Sequence, residues 1–504
     1  MSEKQPTKPD HRSRPTNEEF RAFIASGWAP RGDDLPQEAE VARWTPARRD
    51  VVSQAFPGER LVVPAGGLKV RSNDCDYVFR PHTAFAHLTG LGADREPDAV
   101  LVLDPREDGG HDPVLYFRPL ASRDSDEFFA DSRYGEFWVG SRPTLESMSA
   151  ELGIETRHID QLGDALAKDA GQIGLRVIAD ADADVAALVE RVRSEAGLTT
   201  TEEQQVAAAE ADAELARTCS TMRLIKDDWE KDQMRLACEG TARAFDAVVA
   251  DLPEAKKRGR GERWVEGVFG LHARHHGNGV GYDSICAAGD HANTLHWIRN
   301  TGDLRDGDLL LLDAGIEVDS LFTADVTRTL PISGTFTDVQ RRIYDVVYEA
   351  QQAGIAACRP GNHFRDVHAA AIRVIAEHLH SWGLLPDGVD VETTLDPEKG
   401  QYHRRWMVHG TSHHLGMDVH DCAQALREDY MDAELRPGMV LTVEPGLYFK
   451  ADDVIAPEEF RGIGVRIEDD ILITEDGCEN LSAMIPSRSD EVEAWMARIL
   501  GISD

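Results

Sequence analysis

The chain has 504 residues, 41% of them apolar and 7% aromatic, and sets 54 basic side chains against 90 acidic ones for a formal net charge of −36. That length exceeds what one hydrophobic core commonly serves, so two domains are expected. The charge disfavours nucleic acid or an anionic membrane as a partner, because binding a polyanion rests on clustered Lys and Arg, and no apolar run approaches the ~20 residues that span a bilayer.

Residues 1–16 are polar and Pro-rich, lack the apolar stretch of a secretory signal, and read as a disordered leader to a cytoplasmic protein. The seven cysteines stand singly, odd in number and without a CxxC pair, as suits reduced thiols. Apolar runs at 98–104, 113–119 and 173–180 predict strands among helical or loop stretches. An Ala/Glu-rich stretch at 200–219 reads as a solvated helix leading into a second domain, with a boundary near 215–222. The expected division is therefore the leader, an N-terminal mixed α/β domain over 17–215 and a C-terminal α/β (α+β) domain over 216–504.

In the second half, Asp227 and Glu230 have the spacing of a capping box, and Met234, Cys238, Thr241, Phe245, Val248 and Leu252 form the stripe of an amphipathic helix. Thr337 and Gln340 repeat the box ahead of Ile343, Val347 and Ala350, with Pro360 and Gly361 closing that helix after Cys358. A third helix is predicted over 364–382, carrying Val367, Ala371, Val374 and Leu379 on one face. Strand signals follow at 308–315, 438–446 and 464–474.

The candidate ligands sit at or beside those strands. Asp313 ends one strand and Asp325 opens DVTRT after a turn, so a hairpin would bring both carboxylates to one end of a sheet, although such a pair alone is more often turn or cap chemistry. His409, His413, His414 and His420 lie within twelve positions. Gly410 and Gly416 argue against a helical zinc motif there, and one or two of the rings, His414 in particular, can equally be packed core. Glu444 is pinned before Pro445-Gly446, and alternation on a strand puts Arg466 and Glu468 on one face. The row Glu468-Asp469-Asp470 among apolar residues is costly to bury unless cations neutralise it. Four carboxylates, Asp313, Asp325, Glu444 and Glu468, balance two divalent ions, and oxygen ligands with a single imidazole favour Mn²⁺, with Co²⁺, Fe²⁺ or Zn²⁺ able to substitute.

DAG, DVTRT, HGTSHHLGMDVHD, LTVEPGLY and GIGVRIEDD occur in this order over 223–485, and together they closely resemble the metallopeptidases of the pita-bread fold and, within them, the Xaa-Pro aminopeptidases (aminopeptidase P). A weaker resemblance runs through Arg71–Tyr77, HLTGL and EPDAVLVL to the aminopeptidase P N-terminal domain, which methionine aminopeptidases of the same fold generally lack. The resemblance implies that Asp313 binds one metal, that His413 and Glu444 bind the other, and that Asp325 and Glu468 bridge both. It places His296, His409 and His420 on the family's catalytic and substrate-contacting histidines, and Arg466 on the Arg that supports the ligands. Asp74 and Trp138 would fall in a substrate pocket, contributed by a neighbouring subunit of a dimer or tetramer. Eleven residues separate Asp313 from Asp325 where ten are usual, and the stretch between Pro119 and Gly135 is enlarged.

The activity implied is release of the first residue from peptides with proline second, by attack of a metal-bridging hydroxide, with Glu444 shuttling the proton and His420 stabilising the oxyanion. A prolidase acting on Xaa-Pro dipeptides would have the same ligands. A catalytically inactive relative that binds peptides would be expected to have lost some of them, and all five are present.

Overall fold

The computed structural model describes residues 15, 17–32 and 34–502, so the expected leader lies outside the described residues apart from Pro15. These residues form two compact units, one ending at Asp212 and one beginning at Ala213, with Leu91–Ala93 packed into the second. The helix Glu202–Thr221 runs through the division. No helix among the described residues is long and apolar enough to cross a membrane.

The first unit is built on a sheet of β1 (Glu59–Pro64), β2 (Val100–Pro105), β3 (His111–Phe117), β4 (Glu155–His158) and β5 (Gly174–Val177), in the order β4-β3-β2-β1-β5. The β1–β2 and β2–β3 pairs are antiparallel, whereas β4 and β5 join the two edges in parallel. Val62, Val100, Val102, Val114 and Tyr116 bury one face under Val185, Val189 and Val192 of the helix Ala183–Glu195. This is the alternation that branched side chains on a pleated strand produce.

The second unit pairs α1 (Asp228–Lys257) with α2 (Gly261–His276) and α3 (Asp338–Ala357) with α4 (Phe364–Ser381), each pair joined by a short connection. Both predicted capping boxes are made. The Asp227 and Thr337 side chains accept from the N–H groups of Glu230 and Gln340, whose own side chains reach back to the cap N–H groups. Each box satisfies two of the N–H donors that a helix start leaves orphaned. Phe245, Val248, Phe269, Ile343, Val347 and Ile375 pack from all four helices into one core.

Against that core lie β6 (Ile285–Ala288), β7 (Leu309–Ala314) and β8 (Val326–Pro331), with β7 central and antiparallel to both neighbours. Register sets Asp313 opposite Thr327 and Ala314 opposite Val326, so Asp325 stands at the same end of the hairpin as Asp313. The strands predicted over 438–446 and 464–474 each run as two: β9 (Val440–Val443), β10 (Gly446–Phe449), β11 (Ile463–Arg466) and β12 (Asp469–Ile473). Pro445 has no N–H to donate, which ends the ladder there. β9 pairs with β12, and β10 with β11. Val443 faces Asp469 and Gly446 faces Arg466, leaving Glu444 and Glu468 together in the step between the two ladders.

Candidate metal centre

The β7–β8 hairpin end and the β9/β10–β11/β12 step meet over a cavity of about 430 Å³. Asp313, Asp325, His413, Glu444 and Glu468 all line it, together with His296, His409, His420 and Arg466. Oxygen or nitrogen atoms of Asp325, His413 and Glu468 lie within 4.8 Å of one another. His413 Nε2 is 3.3 Å from Asp325 Oδ2 and 3.8 Å from Glu444 Oε1. Its Nδ1 lies 3.2 Å from the His414 carbonyl oxygen, which can only accept. That contact holds a proton on Nδ1, so Nε2, which faces the carboxylates, is the atom that would lose its proton to bind a metal.

Burial and like charge dominate the electrostatics. Glu468 is 2% exposed, and burial, followed by repulsion from Asp325, Glu444 and Asp313, raises its carboxyl well above the usual range. Burial raises Glu444 to about 7 against the pull of His413 and Arg466. Burial also raises Asp313, although Arg466 Nη2 donates to its Oδ2 at 2.5 Å. For His413, the charges and hydrogen bonds of its acidic neighbours outweigh burial and raise it to about 9. Four carboxylates, three of them buried and Glu444 half-buried, thus share one guanidinium and one imidazole, too little positive charge to balance them. This imbalance, with mostly oxygen donors and one nitrogen donor converging, fits bound divalent cations.

The neighbours of these groups supply orientation. Tyr282 Oη stands 2.7 Å from Asp313 Oδ1 and 2.5 Å from Asp325 Oδ1, with one hydrogen to donate between them. Thr327 Oγ1 donates to Glu468 Oε2 at 2.6 Å, and the Asp325 N–H donates to Asp470 Oδ2 at 3.1 Å. His409 keeps its Nδ1–H on the Gly410 carbonyl at 2.6 Å and accepts from Tyr448 Oη at 2.8 Å on Nε2. Burial, with Arg466 nearby, lowers His409 to about 3 and keeps it neutral. The His420 ring lies 4.5 Å from that of His413 and nearly perpendicular to it. His420 is also lowered, first by burial and then by His413.

His414 takes the packing alternative. Its ring is buried, stacks on Phe364 at 4.7 Å and meets Tyr430 edge-on. Asp74 and Trp138 belong to the first unit, where Asp74 is exposed and Trp138 donates its indole N–H to the Phe129 carbonyl. Sequence reasoning missed Tyr282, Thr327 and Tyr448, and only Thr327 and Tyr448 stood inside the quoted motifs.

The fold and the carboxylate-rich cavity define a metal-dependent hydrolase. The profile of metallopeptidase family M24 matches residues 232–475, and that of the aminopeptidase P N-terminal domain matches residues 46–175. The chain is 50% identical to Xaa-Pro aminopeptidase 1 of Streptomyces coelicolor over 96% of its own length and 93% of the relative's. It is 34% identical to Xaa-Pro aminopeptidase of Escherichia coli over 89% of this chain and 96% of that one. The structure of zinc-substituted E. coli aminopeptidase P in complex with product superposes with a TM-score of 0.78 at 32% identity, covering 92% of this chain and 99% of that one. The chain belongs to the aminopeptidase P family: it is a metallo-aminopeptidase with a pita-bread catalytic domain behind an aminopeptidase P N-terminal domain.

Proposed function

We propose that this enzyme releases the N-terminal residue from peptides whose second residue is proline, using two divalent cations, Mn²⁺ by preference, held by Asp313, Asp325, His413, Glu444 and Glu468. The observation that carries the reading is the shortage of positive charge among four carboxylates on one cavity, three of them buried and Glu444 half-buried. With His413 neutral, as a ligand must be, the four carboxylates and Arg466 leave a net charge of −3, which one divalent ion would not cancel and which two, together with a hydroxide, would. When bound, such ions lower the pKa of water and polarise a carbonyl oxygen.

The chain's own groups then have separable tasks. Glu444 takes the proton of the attacking water and returns it to the departing proline nitrogen, a role suited to a carboxylate that burial has already made more basic than usual. His420 reaches the cavity from an exposed position as a neutral imidazole able to donate to the developing oxyanion. His296 and His409 position the substrate. Arg466 holds Asp313 and, through a 3.1 Å bond from Nη1, Tyr448 Oη. Asp74 and Trp138 are assigned to a substrate pocket completed by a second copy in a cytoplasmic dimer or tetramer, on the strength of the family resemblance.

The test is turnover of Xaa-Pro and Xaa-Pro-Yaa by the chelated protein before and after Mn²⁺ is restored, with Glu444→Gln measured in parallel. We expect Mn²⁺-dependent cleavage of the tripeptide, and a loss of about 10²–10⁴-fold in the variant at two bound ions per chain. Turnover of the dipeptide alone would mark a prolidase, and full activity in metal-loaded Glu444→Gln would reject its proton-transfer role.

A further inference from the structure

Glu262, in the first turn of α2, is fully buried and uninvolved in the chemistry above, yet its carboxylate is saturated with donors. Oε1 accepts from the Ala288 N–H at 2.8 Å and lies 2.7 Å from His291 Nδ1, while Oε2 accepts from Trp297 Nε1 at 2.9 Å and the Gly302 N–H at 2.5 Å. All four partners belong to the segment 288–302, which leaves β6 and carries His296. The backbone N–H of Glu262 also donates to the Gly302 carbonyl at 3.1 Å. A methyl group on Gly302 would come within 2.8 Å of both the Glu262 carboxyl carbon and His291 Nδ1, so glycine is what lets the chain close on the carboxylate.

Other contacts extend the grip. One turn along α2, Glu266 accepts from Asn300 Nδ2 at 3.0 Å, and Asn300 Oδ1 takes the Cys286 N–H at 3.0 Å. The Asn300 side chain is wholly buried, with a backbone φ of 47°, a conformation that costs a non-glycine residue energy and persists only where the surroundings enforce it. His291 and Trp297 stack with ring centroids 4.0 Å apart. Within this segment Trp297 and Asn300 bond to α2, whereas Leu295, His296 and Ile298 line the metal-centre cavity. His296 itself is exposed, and among the described residues no aromatic ring packs on its own.

We propose that Glu262 is a positioning residue for His296: by gathering four donors from the 288–302 segment onto one buried carboxylate, it turns Trp297 inward and so holds His296 toward the substrate. This rests on the reading of His296 as a substrate-positioning group. Gln at position 262 would keep the volume but present an NH₂ group to two N–H donors, freeing half of the clamp.

The experiment is a double-mutant cycle on the metal-loaded full-length enzyme with an Xaa-Pro-Yaa peptide, comparing wild type, E262Q, H296A and the double variant, with bound metal measured for each. E262Q is expected to lower kcat/KM at least tenfold at unchanged metal content, through the same parameter, kcat or KM, that H296A changes. In the H296A background it should alter kcat/KM less than twofold. Effects that multiply in the double variant, or an E262Q enzyme within twofold of wild type, overturn the proposal. Should E262Q fail to fold, W297F removes one donor and keeps the stacked ring. It should cost about threefold in the wild-type background and nothing beside H296A, and a loss that persists beside H296A overturns the proposal. Wild-type kinetics in H296A itself would reject the reading of His296, a result distinct from additivity between two impaired variants.

Discussion

Glu468 and Asp469 are consecutive and both buried, at 2% and 0% exposure, yet they live in opposite electrostatic worlds. Asp469 meets Arg328 Nη2 at 2.7 Å, Ser482 Oγ at 2.5 Å and Gln351 Nε2 at 2.8 Å. Arg328 is itself saturated, with its remaining donors on the carbonyls of Thr327, Glu468, Ile485 and Pro486. Glu468, on the other face, has Thr327 Oγ1 as its hydrogen-bond donor and three other carboxylates as neighbours. The protein can neutralise a buried acid with its own groups, and does so one residue away. On the cavity side it supplies no such partner to Glu468 among the described residues, the task that the proposed function gives to divalent cations.

This contrast can be broken from either side. The largest effect is expected behind the site: Arg328→Met takes from Asp469 its guanidinium partner and from each of four carbonyls one donor, and denaturant unfolding should show a loss of about 3–5 kcal/mol with or without metal. A loss confined to the metal-loaded protein would mean that Arg328 belongs to the cavity instead. On the cavity side, Glu468→Gln removes a charge for which burial and three like neighbours outweigh the pull of Arg466. The metal-free protein should melt at or above the wild-type temperature, while divalent-ion affinity measured by calorimetry falls by about tenfold to a hundredfold or more. A metal-free variant that melts well below wild type would place Glu468 with Asp469 as a structural acid.

The smallest effect is a dependence on pH. In the metal-free chain Glu444 and His413 titrate higher than their ordinary values of 4.5 and 6.5, at about 7 and about 9. Their contribution to stability is therefore full below the ordinary values and is lost as pH rises through about 7 and about 9. Metal binding requires the deprotonated groups and strengthens over the same range. The gap in thermal midpoint between metal-loaded and chelated protein should thus widen by several degrees from pH 5 to pH 8. A constant or narrowing gap would show that these two groups are not what the metal binds.

Much of this was legible beforehand because it is local. Capping boxes depend on residues three apart, so Asp227–Glu230 and Thr337–Gln340 could be read directly, and both are formed. The family motifs named the aminopeptidase P relationship because each keeps its chemistry within a few residues. The strands over 438–446 and 464–474 looked continuous because apolar residues recur beyond each break, Val443 and Leu447 around the first and Val465 and Ile471 around the second. The break follows from Pro445 and from an exchange of partners that neither segment shows alone. Tyr282 was invisible because nothing in GYDSI sets it apart from a core tyrosine, and its partners lie 31 and 43 residues away. Asp469 and Asp470 were read with Glu468 as one acidic row awaiting cations, whereas Asp469 has its own in Arg328.

By itself the sequence determined which side chains of this aminopeptidase P are available, acids and imidazoles set at the ends of apolar strands, and where its helices begin. Only the tertiary structure decided which acids share a cavity and which are paired in the interior. On a strand, successive side chains face opposite sides, and which side faces the cavity depends on the register between segments about 140 residues apart, as for Thr327 with Glu468 and Arg328 with Asp469.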